Sequence, residues 1–238
     1  MTAEEIIARG VPEHVAVIMD GNGRWAKKRG LPRTSGHKEG LVTAKKIVAM
    51  AAMLGIKYLT FYTFSTENWK RAQEEVGYLM SLITSRLRAE FDFYKENGIR
   101  IAHIGDLDGL PAEVRSEIQN AIKDTEHFKG ITCVLAINYG GRDEIIRGVK
   151  KLISDNVSAD SITEESFSKS FDVPNLPDVD LMIRTGGEER LSNFLLWHCA
   201  YAEFVFTDTL WPDYNENEFL ADISIYQQRN RRFGAVPN

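Results

Sequence analysis

Short apolar runs alternate with amphipathic stretches along most of this sequence, and that alternation restricts the fold more than any other feature. Six short runs, rich in β-branched and aromatic residues, are typical of strands, at 14–19, 58–64, 99–105, 132–139, 180–185 and 203–208. Longer stretches have apolar residues at helical spacing, at 38–55, 74–98, 111–130 and 141–156. Strands that alternate with helices predict an α/β fold with a central, mostly parallel sheet of about six strands flanked by helices.

The bulk features indicate one cytoplasmic domain. No internal repeat, low-complexity tract or linker is visible, so we expect a single domain over residues 1–238. The N-terminus is short and charged, unlike a signal peptide, and the longest apolar stretch, 47–54, is far below the roughly 20 residues of a membrane-spanning helix. Cys133 and Cys199 lie in apolar surroundings and indicate reduced core residues.

The glycine-containing loop that we expect after the first predicted strand concentrates positive charge in a chain whose formal net charge is -5. No acidic residue occurs between 24 and 38, where the sequence contains Arg24, Lys27, Lys28, Arg29, Arg33, His37 and Lys38. The overall acidity argues against a nucleic-acid-binding protein, so the local charge requires another explanation. Glycines at 21 and 23 allow backbone N–H groups to approach a ligand, and a helix that begins shortly after Ser35 would complete an anion site.

A single aspartate, Asp20, stands between the first strand and these cations. Mg²⁺ prefers carboxylate and phosphate oxygens, so a carboxylate next to an anion site predicts a magnesium–diphosphate site. The alternative interpretation of this segment is a solvated basic loop in which Asp20 caps a turn. The segment matches neither the P-loop nor the dinucleotide-binding fingerprint, which argues against an NTPase and a dehydrogenase.

Further polar, arginine-bearing segments follow other predicted strands. The segment 184–193 contains Arg184, Arg190 and Ser192 around two glycines, and the segment 65–71 ends in Arg71. Parallel strands place their ligands at their C-terminal ends, so two arginine clusters there predict two bound diphosphates. A surface salt bridge is the alternative for any single arginine.

Five blocks of sequence, in this order, resemble the signature blocks of the cis-prenyltransferases, in particular the bacterial undecaprenyl diphosphate synthases: HVAVIMDGNGRWAKKRG, FSTENWKR, NYGGR, RTGGEERLSNFLLW and YAEFVFTDTLWPDY. The resemblance extends from His14 to Gly234. It implies an enzyme that condenses isopentenyl diphosphate onto an allylic diphosphate with formation of a cis double bond. It also implies a hydrophobic tunnel between the sheet and the helices for the growing chain.

The resemblance assigns roles to individual residues. Asp20 corresponds to the Mg²⁺-binding aspartate, Asn68 to a catalytic residue and Glu203 to a second metal-associated carboxylate. The positions that match the allylic diphosphate pocket are Gly21, Asn22, Gly23, Arg24, Arg33 and His37, and Trp25 matches a neighbouring substrate-contacting position. The remaining substrate-binding positions are Ser65, Thr66, Glu67, Trp69 and Arg71, and those of the isopentenyl diphosphate site are Arg184, Arg190, Leu191 and Ser192. Arg232 and Gly234 match a terminal element that reaches the partner's active site in dimers.

The same resemblance implies Mg²⁺ as the cofactor, a homodimer, and a cytoplasmic location with peripheral membrane contact for product release. The expected primer is farnesyl diphosphate and the expected product is undecaprenyl diphosphate, the C55 lipid carrier for cell-wall polymers. A shorter-chain cis-prenyl diphosphate synthase stays open, because product length depends on tunnel depth. A non-catalytic partner subunit is a second alternative, although such subunits tend to lose the catalytic aspartate and the basic pocket.

Two details of the predicted chemistry come from the residues themselves. A neutral amide is a poor base, so we expect Asn68 to orient the substrate while the released diphosphate accepts the proton. The helices at 38–55 and 74–94 are candidate tunnel walls, with the second contributing Val76, Leu79, Met80, Ile83 and Leu87. Ordinary core packing is the alternative for each of these apolar side chains.

Overall fold

The computed structural model describes residues 2–229, and the strands within them form one six-stranded sheet in the order β3–β4–β2–β1–β5–β6. The strands are β1 (His14–Ile18), β2 (Tyr58–Ser65), β3 (Arg100–Ile104), β4 (Thr132–Tyr139), β5 (Leu181–Arg184) and β6 (Glu203–Phe206). Strand β1 is parallel to β5, β5 to β6, and β3 to β4, with Ile18 opposite Arg184. The predicted α/β fold with a parallel sheet of about six strands is confirmed.

The helices follow the strands along the chain as the alternation predicted. They are α1 (Ala3–Ala8), α2 (Asn22–Lys28), α3 (Arg33–Leu54), α4 (Gln73–Ala89), α5 (Phe91–Glu96), α6 (Ala112–Thr125), α7 (Gly141–Ser154), α8 (Glu164–Ser168) and α9 (Glu216–Gln228). Three short 3₁₀ segments occur among the described residues, at Thr66–Lys70, Ala159–Ser161 and Trp211–Asp213.

The chain divides into two compact units. The described part of the first comprises residues 2–59, 178–189 and 198–229, and the second comprises residues 60–177 and 190–197. The first unit contains β1, β5 and β6, and the second contains β3, β4 and most of β2. The single domain over residues 1–238 stays a prediction.

The core of the first unit forms around β1, whose five residues are all buried. Helix α3 contributes an apolar face that includes Ile47, Ala51 and Leu54, at the spacing that the sequence showed. The helix ends at Gly55, whose φ of +83° is the left-handed conformation that glycine adopts most easily. The C-terminus of this helix was therefore predicted correctly.

Two expectations for the basic segment were wrong. Residues 22–28 form helix α2 rather than a loop, and α3 begins at Arg33 rather than at 38. Glycines disfavour helix in isolation, but here they permit close packing of α2 against α3. A Cβ atom on Gly36 would lie 2.0 Å from the carbonyl oxygen of Asn22, so no larger residue fits at this contact.

The second unit has its own core around β4 and the helices that pack on it. The helix predicted over 74–98 is interrupted at Glu90, which separates α4 from α5. Helix α4 packs against α6, and an ion pair between Arg88 and Glu117 joins the two helices. Of the proposed tunnel residues of α4, the buried ones are Leu79, Met80 and Leu87. The half-buried ones are Val76 and Ile83. The tunnel itself stays a prediction.

The cysteines are free and buried, as expected, and burial raises the pKa of Cys133 and of Cys199 to about 12. Both thiols are therefore protonated at neutral pH. Within residues 2–229, none of the helices combines the length and the apolar composition that a bilayer-spanning segment requires.

Candidate diphosphate sites

The backbone of Asp20 is fixed at the end of β1 by two other segments of the first unit. Its carbonyl oxygen accepts a hydrogen bond from Thr185 Oγ1 at 2.7 Å and another from the backbone N–H of Trp211 at 2.9 Å. Thr185 directly follows β5, and Trp211 begins a 3₁₀ turn before α9. Three segments that are distant in sequence therefore determine where the Asp20 carboxylate lies.

The side chain of Asp20 lies between two arginines. Its Oδ1 is 3.1 Å from Arg24 Nη2, and its Oδ2 accepts a hydrogen bond from Arg184 Nη2 at 3.0 Å. The Arg184 side chain is only 5% exposed, whereas those of Asp20 and Arg24 are 31% and 47% exposed. Two guanidinium groups around one carboxylate leave an excess of positive charge, which favours binding of a phosphate group.

Gly186 makes room for this arrangement. Its φ is +86°, and a Cβ atom there would lie 2.5 Å from Arg24 Nη2. Gly23 has a similar role for a third arginine, since a Cβ atom on it would lie 2.7 Å from Cζ of Arg33. The predicted pocket residues Arg24 and Arg33 thus depend on glycine contacts for their positions.

Part of the basic segment has a structural role instead. Asp213 accepts hydrogen bonds from Trp25 Nε1 at 2.6 Å and from Arg29 Nη2 at 3.0 and 3.1 Å. The Arg29 guanidinium also stacks on the Trp25 ring, 4.1 Å from its centroid. The indole N–H of Trp25 and the charge of Arg29 therefore attach α2 to the turn at Trp211–Asp213. His37, one turn into α3, is half-buried.

In the second unit, the segment 65–71 forms a capped 3₁₀ turn. Ser65 N donates to Asn68 Oδ1 at 3.1 Å, and the Ser65 side chain accepts from the Asn68 N–H. The amide oxygen of Asn68 thus serves as a local cap, a use that the sequence did not indicate. Arg71 is exposed and forms an ion pair with Glu75 at 3.0 Å.

Trp69 fixes the same turn to β4. Its Nε1 donates to Asn138 Oδ1 at 2.7 Å, and its ring lies edge-on to Phe64. Although partial burial alone would raise it, the pKa of Glu67 lies below its usual range, because Asn193, the Glu67 backbone, Ser65 and Thr66 donate hydrogen bonds to the carboxylate. Glu67 is therefore ionised at neutral pH.

The residues predicted for isopentenyl diphosphate are divided between the units. Arg184 belongs to the first unit, where it contacts Asp20, whereas Arg190, Leu191 and Ser192 belong to the second. Arg190 and Ser192 are exposed and Leu191 is half-buried. Arg232 and Gly234 lie outside the described residues.

A metal site of the expected kind has to rely on few protein ligands. No group of three or more potential His, Cys, Asp or Glu ligands occurs in residues 2–229. Mg²⁺ that arrives with a diphosphate requires only one or two carboxylates, because phosphate oxygens and water supply the other ligands. Asp20 fits this requirement. Glu203, at the start of β6, accepts a hydrogen bond from Arg229 at 2.8 Å, and its role as a metal ligand stays a prediction.

Several residues that shape these sites were not identified from the sequence. They are Tyr62, Asn138, Thr185, Asn193 and Asp213. Thr185 and Asn193 directly follow the predicted residues Arg184 and Ser192, but the sequence gives no sign of the hydrogen bonds that they make. The others act through contacts that join distant parts of the chain within one unit.

Comparison with known proteins gives a consistent result. The family described as "Putative undecaprenyl diphosphate synthase" matches residues 18–234. An isoprenyl transferase of Treponema denticola is 57% identical over 93% of this chain and 97% of its own. The ditrans,polycis-undecaprenyl-diphosphate synthase ((2E,6E)-farnesyl-diphosphate specific) of Micrococcus luteus is 48% identical over 97% of this chain and 94% of its own. The crystal structure of lavandulyl diphosphate synthase from Lavandula x intermedia with dimethylallyl diphosphate has a TM-score of 0.91 and 35% identity, over 97% of this chain and 100% of that one.

Proposed function

The chain belongs to the undecaprenyl diphosphate synthase family of cis-prenyltransferases, and we propose that it adds isopentenyl diphosphate units to an allylic diphosphate with formation of cis double bonds. The observation that carries this proposal is the Asp20 carboxylate between Arg24 and Arg184, at the end of β1. The relative from Micrococcus luteus, which is specific for farnesyl diphosphate, supports farnesyl diphosphate as the primer and undecaprenyl diphosphate as the product.

In this proposal, the first unit holds the allylic diphosphate. Arg24, Arg33 and His37 donate to its oxygens, and the backbone at Gly21–Gly23 allows it to approach closely. Asp20, with Glu203 as a second candidate, would hold Mg²⁺. Bound Mg²⁺ would supply positive charge against the charge that develops on the departing diphosphate.

The second unit holds isopentenyl diphosphate through Arg190 and Ser192, which are exposed and close in sequence. Arg184, which the resemblance assigns to isopentenyl diphosphate, donates to Asp20 within the first unit. Asn68 orients the condensing substrate, since an amide is too weak a base to remove its proton. The proton then passes to the released diphosphate.

A shorter cis-prenyl product is the second candidate. The similarity to a lavandulyl diphosphate synthase structure that contains dimethylallyl diphosphate favours it, because that fold matches 97% of this chain. A non-catalytic partner subunit is disfavoured by the presence of Asp20, Asn68 and Arg71. We further propose that the whole chain acts as one cis-prenyltransferase domain, forms a homodimer, and works in the cytoplasm in peripheral contact with the membrane, in cell-wall biogenesis.

The test is incubation of the purified protein with farnesyl diphosphate, isopentenyl diphosphate and Mg²⁺, followed by mass spectrometry of the products. We expect a C55 diphosphate as the main product, and none when Mg²⁺ is removed with a chelator. Products that stop well below C55 would support the shorter-chain candidate. Absence of any condensation with farnesyl, geranyl or dimethylallyl diphosphate would refute the enzymatic proposal.

A further inference from the structure

Backbone strain is concentrated where the second unit presents its predicted diphosphate ligands. Ser192, Asn193 and Leu195 have φ angles of +50°, +65° and +44°, although none of them is glycine. Residues with a side chain adopt this left-handed conformation at a cost in free energy, and asparagine does so most readily. Such strain persists only where the surrounding structure enforces it.

The side chain and backbone of Asn193 supply much of that enforcement. Its backbone carbonyl accepts from Gly141 N at 2.7 Å, and its Oδ1 accepts from Arg142 N at 3.0 Å. These are the first two residues of α7, so Asn193 caps the N-terminus of a helix that lies about 50 residues earlier in the chain. Its Nδ2 donates to Glu67 Oε1 at 3.0 Å.

Gly140 leaves the space that the side-chain amide of Asn193 occupies. A Cβ atom on Gly140 would lie 2.7 Å from Asn193 Nδ2 and 2.8 Å from Thr66 Oγ1, so only glycine at 140 leaves room for these two groups. Asn193 therefore uses its donor, its acceptor and its backbone carbonyl on three partners. No other residue type combines these groups at this size with tolerance of the left-handed conformation.

Aromatic contacts hold the same segment from the other side. The Tyr62 ring stacks on Phe194 at 4.3 Å with an interplanar angle of 8°. The Tyr62 hydroxyl is 3.2 Å from the carbonyl oxygen of Ser192 and 3.3 Å from that of Tyr139, within hydrogen-bonding distance of both. Phe194 and Leu195 are fully buried, whereas Arg190 and Ser192 remain exposed. The segment is thus packed into the core at Phe194 and Leu195, and its side chains at Arg190 and Ser192 are accessible to solvent.

We propose that Asn193 is a positioning residue, which holds Arg190 and Ser192 in the backbone conformation that binds the diphosphate of isopentenyl diphosphate. This inference rests on the proposed function, because it takes that diphosphate as the ligand of Arg190 and Ser192. Asn193 positions the segment through an uncharged side chain, which binds Arg142 N and the Glu67 carboxylate. Glu67 acts through Asn193 in this arrangement.

The first test is steady-state kinetics of Asn193→Ala and Asn193→Gly with each substrate varied in turn. Glycine keeps the left-handed backbone accessible and removes only the side chain, so it yields a folded protein if alanine does not. We expect the KM for isopentenyl diphosphate to rise on the order of tenfold or more in either variant, as loss of the hydrogen bonds to Arg142 and Glu67 implies. The KM for farnesyl diphosphate should change less than about twofold.

Asn156→Ala is the matched control. Asn156 has the same residue type, a φ of +54° and a place in the same unit, but its side chain makes only a 3.4 Å contact with the carbonyl oxygen of Ser154. We expect this variant to leave both KM values unchanged. A general effect of strained asparagines on the unit would instead raise the KM for isopentenyl diphosphate in both variants, and that result would overturn the inference.

A rescue experiment separates positioning from a merely structural role. Asn193→Asp places a carboxylate against the Glu67 carboxylate, and the repulsion should raise the KM for isopentenyl diphosphate at least as much as alanine does. Glu67→Gln in the same protein supplies an amide that can donate to the new carboxylate at position 193. Measured against Glu67→Gln alone, the double variant should therefore lose little further affinity for isopentenyl diphosphate.

The outcomes distinguish this inference from the proposed function. A wild-type protein without condensation activity would refute the proposed function, and the inference with it. An active wild type whose Asn193→Gly variant keeps its KM for isopentenyl diphosphate within about twofold would refute the positioning role alone. The positioning role alone would also be refuted if the KM values for isopentenyl and farnesyl diphosphate rose equally in Asn193→Gly. So would it be if Glu67→Gln did not reduce the loss of affinity caused by Asn193→Asp.

Discussion

The two segments that carry the candidate diphosphate ligands are held in opposite ways. The segment after β1 is held by full charges, because Asp20 pairs with Arg24 and Arg184, and Asp213 pairs with Arg29. The segment 190–195 is held by the amide of Asn193, whose partners include the Glu67 carboxylate, by backbone carbonyls and by stacked rings, and its backbone is strained.

This difference indicates how each segment responds to a bound diphosphate. Arginines that are paired with a carboxylate can exchange it for phosphate oxygens, so the first segment is expected to rearrange when ligand arrives. A strained backbone that hydrogen bonds of Asn193 and stacked rings hold presents its ligands in advance, so the second segment is expected to bind without rearrangement. The predictions below test this contrast, from the largest expected effect to the smallest.

Asp20→Asn should have the largest effect on activity. The substitution keeps the shape of the side chain but removes the negative charge that would hold Mg²⁺ and pairs the two arginines. We expect kcat to fall by roughly 10²–10³-fold, the scale seen when one electrostatic group is removed from an active site. Steady-state kinetics at saturating Mg²⁺ measure it, with circular dichroism to verify folding. A kcat within tenfold of wild type would contradict the assigned role.

Gly36→Ala should have the largest effect on stability, because its Cβ atom would lie 2.0 Å from the carbonyl oxygen of Asn22. We expect the free energy of unfolding in urea to fall by about 2–3 kcal/mol, since α2 and α3 must separate.

Gly77→Ala in α4 is the matched control, because nothing lies within 4 Å of its added Cβ atom. There we expect a gain of up to about 1 kcal/mol from helix propensity. Equal losses in the two variants would show that the approach of α2 to α3 does not limit stability.

Asp222→Asn should change the pH dependence of stability. Burial raises the pKa of Asp222 to about 6, with the nearby Glu218 adding to the increase, although Tyr214 donates a hydrogen bond to the carboxylate at 2.6 Å. Between about pH 4 and pH 6 the unfolded chain loses this proton while the folded protein keeps it. The free energy of unfolding of the wild type should therefore fall as the pH rises through this window.

Urea titrations at about pH 4.5, 5.5 and 6.5, which cover the interval set by the two pKa values, measure this contribution. The Asp222→Asn variant should lack a decrease on the order of 1–3 kcal/mol that the wild type shows. Asn156→Ala, which removes a neutral side chain whose contact is with the carbonyl oxygen of Ser154, should keep the wild-type slope. Identical slopes in wild type and Asp222→Asn would contradict the burial of a titrating carboxyl group next to Tyr214.

Arg29→Met should have the smallest effect. It removes the stacking on Trp25 and the ion pair with Asp213. The side chains of Arg29 and Asp213 are both half-exposed. We expect a loss of about 0.5–1 kcal/mol in the free energy of unfolding at low salt, and less at high salt. Asn156→Ala, whose side-chain contact involves no charged group, should lose the same amount at both salt concentrations. A salt-independent loss in Arg29→Met would show that packing rather than charge attaches α2 to the Trp211–Asp213 turn.

The sequence predicted those parts of the molecule that depend on periodicity or on residue type alone. The six strands and the end of α3 at Gly55 follow from short apolar runs and from a glycine at a helix C-terminus. Helix α2 was missed because Gly21 and Gly23 look like a loop in isolation, and only packing against α3 explains why residues 22–28 are helical.

The candidate sites were predictable to the extent that charge reveals them. Asp20, Arg24 and Arg190 stand out as charged residues at strand ends. Asn193 does not, because its role depends on Gly140 and Arg142, about 50 residues away, and on a backbone angle that no sequence pattern displays. Neutral residues that position charged ones are therefore the part of such a site that sequence reasoning misses.

A crystal structure of the protein with Mg²⁺, isopentenyl diphosphate and a non-hydrolysable farnesyl diphosphate analogue would test the central claim most directly. The account predicts one diphosphate on Arg24 and Arg33, with the Asp20–Arg24 ion pair opened, and a second on Arg190 and Ser192, with the hydrogen bonds of Asn193 unchanged. Both diphosphates bound within the first unit, or a rearranged 190–195 segment around an intact Asp20–Arg24 pair, would contradict it.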